Sequence, residues 1–564
     1  MSQRPYPGLR AFWRDEIDIF FGRERQIDEI LEKLQHNHFL AVLGPSGCGK
    51  SSLMRTGVLS ALDSGFMCQA GANWLVADMK PGGSPFLAMA KSLLADNVFA
   101  EHYKQWFPAI NLKEDDKGQW KQEAQFFLQA SLQRGPQSLH ELLSDLQLPK
   151  GSTVLLLVDQ FEEVFRYRRH SSNEAAEFVS LILAASRHPA IYTAITMRSE
   201  FLGNCVAFQG LPEAINQGLY LTPSLDRDQL AEAIAFPARV FGGEVTPELV
   251  NRLLNDAGQS LDHLPLLQHA LMRLWDTDDD HQLTLQEYEA TGGLQTMLND
   301  HLDEAWTDLD DEQKELAQRL FRLLTEKTPE GHSIRRPVKF SEVLKLYGAS
   351  KENVLRIIEV FRAEGRHFLM PPASVELTDE TVIDITHESL IRQWQRLNKW
   401  VDLEAEQSQL FQRLQGTALR HQQGEAALLS SPDLEIALYW RDTQKPTAKW
   451  AQRYGEEFAA VMTFLDQSVE AQQADVLLLP EAAVDHQHLL AVGGEADGLG
   501  ARGRAEGAAP HAAVSVHQAE RLGGGGAPGH PPRAAAPEPP CRKNPPQPHP
   551  PHPPPPPPLP PSLS

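Results

Sequence analysis

Gly44, Gly49, Lys50 and Ser51 fill the spacing G-x-x-x-x-G-K-[ST] inside LAVLGPSGCGKSSL. Residues of these types in this order suit one task. Glycines let successive backbone N–H groups converge on a phosphate, and the start of the following helix adds its positive end. Gly44, Pro45, Ser46, Gly47, Cys48, Gly49, Lys50, Ser51 and Ser52 are therefore candidate binders of a nucleotide phosphate. Lys50 is placed to reach the β- and γ-phosphates, and the Ser51 hydroxyl to hold Mg²⁺. Cys48 takes a free position of the loop, where a small packing residue suffices.

A magnesium-bound phosphate also needs a carboxylate from a second strand. TVLLLVDQFEEVF puts Asp159 directly after an apolar run, and Mg²⁺ prefers hard oxygen ligands, so Asp159 is the second metal candidate. Glu162 and Glu163 follow within one turn. Either could orient an attacking water as general base, and each also reads as a solvated carboxylate at a helix start. Arg198 follows the apolar AIYTAITM. It could steady charge on a γ-phosphate there, or pair with Glu200 at the surface.

These side chains need a scaffold to bring them together. Phe39–Leu43, Asn73–Met79, Val154–Val158 and Ala190–Met197 are short apolar runs separated by helical stretches, with Gly218–Leu221 a candidate edge strand. Such alternation predicts an α/β fold, a parallel sheet flanked by crossover helices. Residues 300–400 read as helices with a basic hairpin candidate, HSIRRPVKF, and a strand pair near HFLMPP and VIDITH. That is a winged-helix pattern, a type that often binds DNA. Yet acidic runs such as DLDDEQKE dominate the region, and one RRPVK wing is a thin electrostatic footprint.

Composition narrows the classes. The chain of 564 residues carries 75 acidic against 52 basic side chains, a formal net charge of −23, which makes it a poor general partner for nucleic acid or anionic lipid. Its four cysteines are scattered and form no C-x-x-C pair, which argues against a disulfide framework or zinc site and fits a reducing cytoplasm. MSQRPYPGLR has no apolar signal core, and no segment supplies the roughly 20 apolar residues of a membrane span. From about Ala471 onward there is no Phe, Tyr, Trp, Ile or Met, and about half of the 41 prolines crowd into this tail. It cannot bury enough apolar surface to offset chain entropy, so it reads as disordered. Two origins stay open: a polyproline ligand for aromatic grooves, or the product of a shifted reading frame in GC-rich DNA.

Six motifs in order carry a resemblance. PYPGLRAF, FFGRER, GPSGCGKSSL, LLLVDQFEEVF with the MRSEF strand end, LPLLQHALMRLW and ITHESLIRQWQRL resemble the STAND-type signal-transduction ATPases, specifically the novel STAND NTPase 1 group of bacteria, over about residues 3–410. The resemblance implies an ASCE/AAA-like ATPase core, a helical subdomain and a winged-helix domain, with ATP, ADP and Mg²⁺ as cofactors. It implies that Gly22, Arg23 and Glu24 pack beside the adenine and that Pro265 closes over the base. His387 would touch the β-phosphate of ADP and hold a closed state. Read from the residues alone, Pro265 is a helix-start proline and His387 a helix-start cap.

The expected organisation is an N-terminal flanking segment (1–37), the P-loop core (38–222), a helical subdomain (223–295), a winged-helix domain (296–400), a helical extension (401–470) and the disordered tail (471–564). The expected activity is a Mg-dependent ATPase used as a cytoplasmic switch, ADP-bound and closed at rest, a homo-oligomer with ATP, and nucleic acid not its partner. Gln160 replaces the glutamate that in many related ATPases directly follows the magnesium aspartate, which points to slow hydrolysis. Proteins of this group often continue into a membrane helix or a WD-repeat propeller, and neither is expected here. The alternatives are a DNA-associated AAA-like ATPase or transcription regulator, and an ADP-locked scaffold that exchanges without hydrolysing.

Overall fold

The computed structural model describes residues 4–71, 73–107, 119–168, 171–258, 263–277, 280–327, 331, 333–347 and 350–477. The expected disordered tail lies almost wholly outside them.

Five parallel strands form the central sheet: β1 (Phe39–Gly44), β2 (Asn73–Met79), β3 (Ser152–Val158), β4 (Ile191–Arg198) and β5 (Leu219–Leu221), in the order β2-β3-β4-β1-β5. FLAVLG is buried at every position because both faces of a parallel sheet are covered. Side chains still alternate. Phe39, Ala41, Leu43, Val154 and Leu156 enter one core, whereas Leu40, Val42, Leu155 and Leu157 enter the core on the other face. The α/β parallel sheet expected from the sequence is thus present.

The register places the chemistry. β4 sits between β1 and β3, and Gly44 pairs with Arg198 across the ladder, so the phosphate loop and Arg198 leave the sheet side by side. Val158 pairs with Ile195, which puts Asp159 at the same carboxyl edge. Loops outside the carboxyl ends of parallel strands are where such sheets bind ligands. After the loop, the helix from Lys50 to Asp63 contains a π-helical stretch, Leu53–Val58, a widened turn of the kind that gathers at functional sites.

A larger core gathers helices 227–240, 247–257, 263–277, 294–307, 311–323 and 351–362 about Trp394, which is fully buried against Phe321 and Phe361. A three-stranded antiparallel sheet closes this region, with Val382–Ile385 between Val338–Lys339 and Leu369–Met370. HSIRRPVKF does not form its own hairpin. Ser333–Arg335 pairs back to Thr325–Lys327, and after Pro337, which has no N–H to give a ladder, Val338–Lys339 joins the other sheet. The C-terminal helices pack separately, around Phe411, Trp440 and Phe464.

The N-terminal PYPGLRAF ties two cores together. Tyr6 and Leu9 are buried in the large helical core, and Tyr6 Oη donates to Ile234 O at 2.6 Å. Phe12 N donates to Ser52 Oγ at 3.2 Å, reaching the helix behind the phosphate loop.

Candidate functional site

Gly47 and Gly49 have φ of 78° and 89°, the left-handed region that glycine enters without penalty, and these two turns curl the loop after β1. Any Cβ on Gly47 would lie 3.3 Å from Pro265 Cγ and 3.4 Å from His387 Cε1. The loop is therefore clamped between two residues that the sequence placed hundreds of positions away. Lys50 Nζ donates to Gly44 O at 2.9 Å and Pro45 O at 2.8 Å. Arg23 braces the loop from behind, donating to Cys48 O at 2.9 Å and Pro223 O at 2.8 Å.

A cleft of about 220 Å³ opens over this loop. Its lining includes apolar side chains, Phe20, Phe21, Leu225, Ala233 and Leu264, and charged or polar ones, Lys50, Asp159, Glu162, Arg198, His387 and Glu388. Arg23, Ser46, Gly47, Gly49, Ser51, Ser52 and Pro265 also face it. Gly22, Glu24, Gly44, Pro45, Cys48 and Glu163 do not line it. Gly22 is pressed against the Gln229 backbone, where a Cβ would meet its carbonyl at 2.4 Å, and Glu24 accepts from Gly22 N. Both belong to the scaffold behind Arg23.

Asp159 sits as the β3–β4 alignment predicts. Its Oδ1 accepts from Ser51 Oγ at 2.7 Å and Thr196 Oγ1 at 2.6 Å, and its Oδ2 lies 3.1 Å from Arg55. Burial pushes this carboxyl up, but Arg55, Lys80 and the two hydroxyl donors outweigh it and hold it at about 2. Arg55 is shared with Asp78, at 2.6 Å. Asp159 and Ser51 thus present two hard oxygens 2.7 Å apart, one permanently anionic, a donor set that fits Mg²⁺.

The two glutamates separate. Glu163 Oε2 accepts from Gly82 N at 2.8 Å, outside the cleft. Glu162 faces inward, 3.2 Å from Arg198, and its Oε2 is buried without a hydrogen-bond partner among the described residues. Burial pushes Glu162 up to about 7 against the pull of Arg198 and Lys50.

Arg198 is not a surface arginine. Glu200 is a loose neighbour at 3.9 Å, and the close partners are Glu162 and Glu388. Glu388 was not singled out from the sequence, yet it joins three parts of the chain. It accepts from Arg198 at the end of β4, from Arg335 Nε at 2.6 Å and from Ser46 Oγ of the loop at 3.2 Å. Burial disfavours its charge, but Arg335, Arg198 and His387 hold the carboxyl well below the usual range. Arg335 in turn donates to Asp384 at 2.7 Å and Ile385 O at 2.9 Å. His387 stands just before the N-cap Glu388, its Nδ1 accepts from Ser389 N at 3.1 Å, and it also lines the cleft. The available signal for Glu388 was its place beside His387; for Arg55, its place on the helix that begins with Lys50.

Among solved structures, the chain is similar to the ORC1 protein of Aeropyrum pernix in complex with DNA at 13% identity, covering 69% of this chain and 94% of that one with a TM-score of 0.34. A Walker-type ATPase of Pyrococcus abyssi is 13% identical, with coverage of 68% and 98% and a TM-score of 0.31. The RuvB Holliday junction branch migration motor of Thermotoga maritima is 14% identical, with coverage of 68% and 97% and a TM-score of 0.25. The family profile described as novel STAND NTPase 1 matches residues 5–427, which take in both jaws of the cleft as well as the phosphate loop. With the parallel sheet, the glycine loop and the carboxylate of β3 in place, that match leads to one statement of identity: the chain belongs to the novel STAND NTPase 1 family of P-loop NTPases.

Proposed function

We propose that this protein is an ATP-operated signal-transduction switch, closed with ADP and assembling into a homo-oligomer with ATP. One observation carries the reading: Glu388 bonds at once to the phosphate loop, to Arg198 and to Arg335. A residue so placed couples whatever the loop binds to the position of residues 296–400. Within them, helix Asp311–Leu323, strand Val338–Lys339, helices Phe340–Tyr347 and Lys351–Arg362 and strands Leu369–Met370 and Val382–Ile385 follow the order of a winged helix, with the pair Thr325–Lys327 and Ser333–Arg335 inserted, and support its use as a lever. The apolar side chains of the cleft suit an adenine, with Pro265 over it and Arg23 behind.

Ser51 and Asp159 would hold Mg²⁺, which supplies charge neutralisation at the phosphates. Glu162 acts as the general base: it is buried, has an unpartnered oxygen, and its carboxyl is raised to about 7. Lys50 and Arg198 counter charge on the transferred phosphoryl group, and His387 faces the β-phosphate. Gln160 in place of an acid keeps hydrolysis slow, as a timer requires. In this reading nucleic acid is not the partner, because the basic side chains of the wing are each paired with an acid. Arg335 faces Asp384 and Glu388, Arg336 faces Glu342, and Lys339 faces Glu380. No described helix is long and apolar enough to cross a membrane, and the location proposed is cytoplasmic.

The deciding experiment measures the nucleotide retained on purification together with particle mass in ADP and in a non-hydrolysable ATP analogue. Monomer with ADP and a larger species with the analogue are expected. Equal mass in both, or salt-sensitive DNA binding that displaces nucleotide, would overturn the switch.

A further inference from the structure

A second cleft, of about 260 Å³, lies far along the chain from the phosphate loop. Arg319 and Arg322 of the helix Asp311–Leu323 line it. Glu404 and Gln407 of the long helix Gln395–Gln422 line it too, with Lys445, Trp450 and Arg453 from farther along the chain. Four cationic side chains face a single carboxylate, in a chain whose net charge is −23. That carboxylate is already engaged: Glu404 accepts from Arg322 at 2.7 Å, Trp450 Nε1 at 2.8 Å, Tyr454 Oη at 2.7 Å and Arg453 at 3.3 Å.

Donors remain after Glu404 is satisfied. Gln407 is 6% exposed, its Oε1 accepts from Arg322 at 2.9 Å, and its Nε2 is buried with no partner among the described residues. Buried amide N–H groups without an acceptor are rare, because each loses its hydration for nothing. Lys445 is exposed and has no ion pair among the described residues, and its backbone is left-handed, φ 46° and ψ 56°. That conformation ends helix Asp433–Gln444, with Lys445 N donating to Arg441 O at 3.1 Å, and the residue lines the cleft. Arg319 lies 4.0 Å from Glu315, its one ion-pair contact among the described residues. The positive field is felt nearby, since burial and then Arg453 push Arg336 below its ordinary value. Positive charge in the lining thus outnumbers negative charge, with Glu404 its one carboxylate.

We propose that this cleft is a second ligand site, which takes a small phosphate-bearing anion between Arg322, Gln407 Nε2, Lys445 and Arg453. Phosphate oxygens supply several acceptors and about two charges to a set made of donors, and the Trp450 ring gives an apolar stem a wall to lie on. The ligand ties helix 311–323 to the loop Gln444–Thr447, so occupancy joins the C-terminal helices to the region that holds Arg335.

The test uses the full chain saturated with MgADP, which fills the phosphate loop. Titration calorimetry with inorganic phosphate and with phenyl phosphate is expected to show one saturable site, with Kd below about 1 mM for the better probe. Tighter binding of phenyl phosphate identifies a phosphate monoester; equal binding identifies free phosphate. Lys445→Glu and Gln407→Glu are each expected to weaken the site by about tenfold or more, with MgADP affinity and melting unchanged in the exposed Lys445→Glu protein. No saturable heat up to about 10 mM, or the same isotherm in wild type and Lys445→Glu, overturns the assignment.

Discussion

Glu162 has a carboxyl whose buried setting moves its ionisation into the neutral range, at about 7. A general base works only when ionised, so ATP turnover is expected to rise with pH through about 7 and level off above it. Glu162→Gln is expected to lower single-turnover hydrolysis by about 10²-fold or more, to remove that rise, and to leave ATP affinity within about threefold. Rates that keep the same pH profile in the variant would place the base elsewhere. Glu163→Gln, whose parent carboxylate accepts from Gly82 N outside the cleft, is expected to change turnover little. Sequence could place both glutamates near the chemistry but could not choose, because one position along a turn swings a side chain out of the cleft. Lys50, Ser51 and Asp159 were legible because their spacing is local: a loop needs its glycines, lysine and hydroxyl in a row, and a strand delivers its aspartate at its end. Arg55, Thr196 and Glu388 were not, because their partners are fixed by the register of three strands and by a contact across 342 residues.

The elements that carry Glu388 and Arg335 do a different job from the sheet. Both arginines held by Glu388 keep a second carboxylate, Glu162 for Arg198 and Asp384 for Arg335. Glu388→Gln is therefore expected to fold while losing the charged link to the loop, and to lower the ADP/ATP affinity ratio by about tenfold. Asp384→Asn removes a buried partner of Arg335 without touching Ser46 or Arg198. It is expected to lower the melting temperature by several degrees at an unchanged ratio. Equal shifts of the ratio in both variants would reduce Glu388 to a structural ion pair. The sheet strands were readable as apolar runs of strand length. The split of HSIRRPVKF between two sheets was not, since a run with Pro337 at its centre looks like one turn until its two partner strands are known.

Over the whole molecule, two buried histidines contribute to the loss of stability in acid. His269 Nε2 and His301 Nδ1 lie 3.0 Å apart in the large core, and burial pushes them down to about 3 and about 2, with His269 also repelling charge on His301. Both are neutral when folded, whereas the unfolded chain takes up two protons near pH 6.5. Stability present above that value is lost as pH falls from about 6.5 toward 3, by roughly 2–3 kcal/mol per unit for the pair. Urea midpoints between pH 7 and 5 are expected to drop, and to drop less steeply in a His269→Gln, His301→Asn protein; equal slopes would assign the loss to other groups. The walls of the cleft draw on stretches far apart in sequence, among them Phe12 to Phe21, the glycine loop, Leu264 with Pro265, and His387 with Glu388. A molecule seated among them acts as a reversible cross-link between segments as far apart as Phe12 and Glu388, and by mass action every tenfold rise in its concentration above Kd adds about 1.4 kcal/mol to the free energy of unfolding. Thermal midpoints are thus expected to climb in near-equal steps with the logarithm of free nucleotide, so that a chain starved of nucleotide is the one that unfolds first.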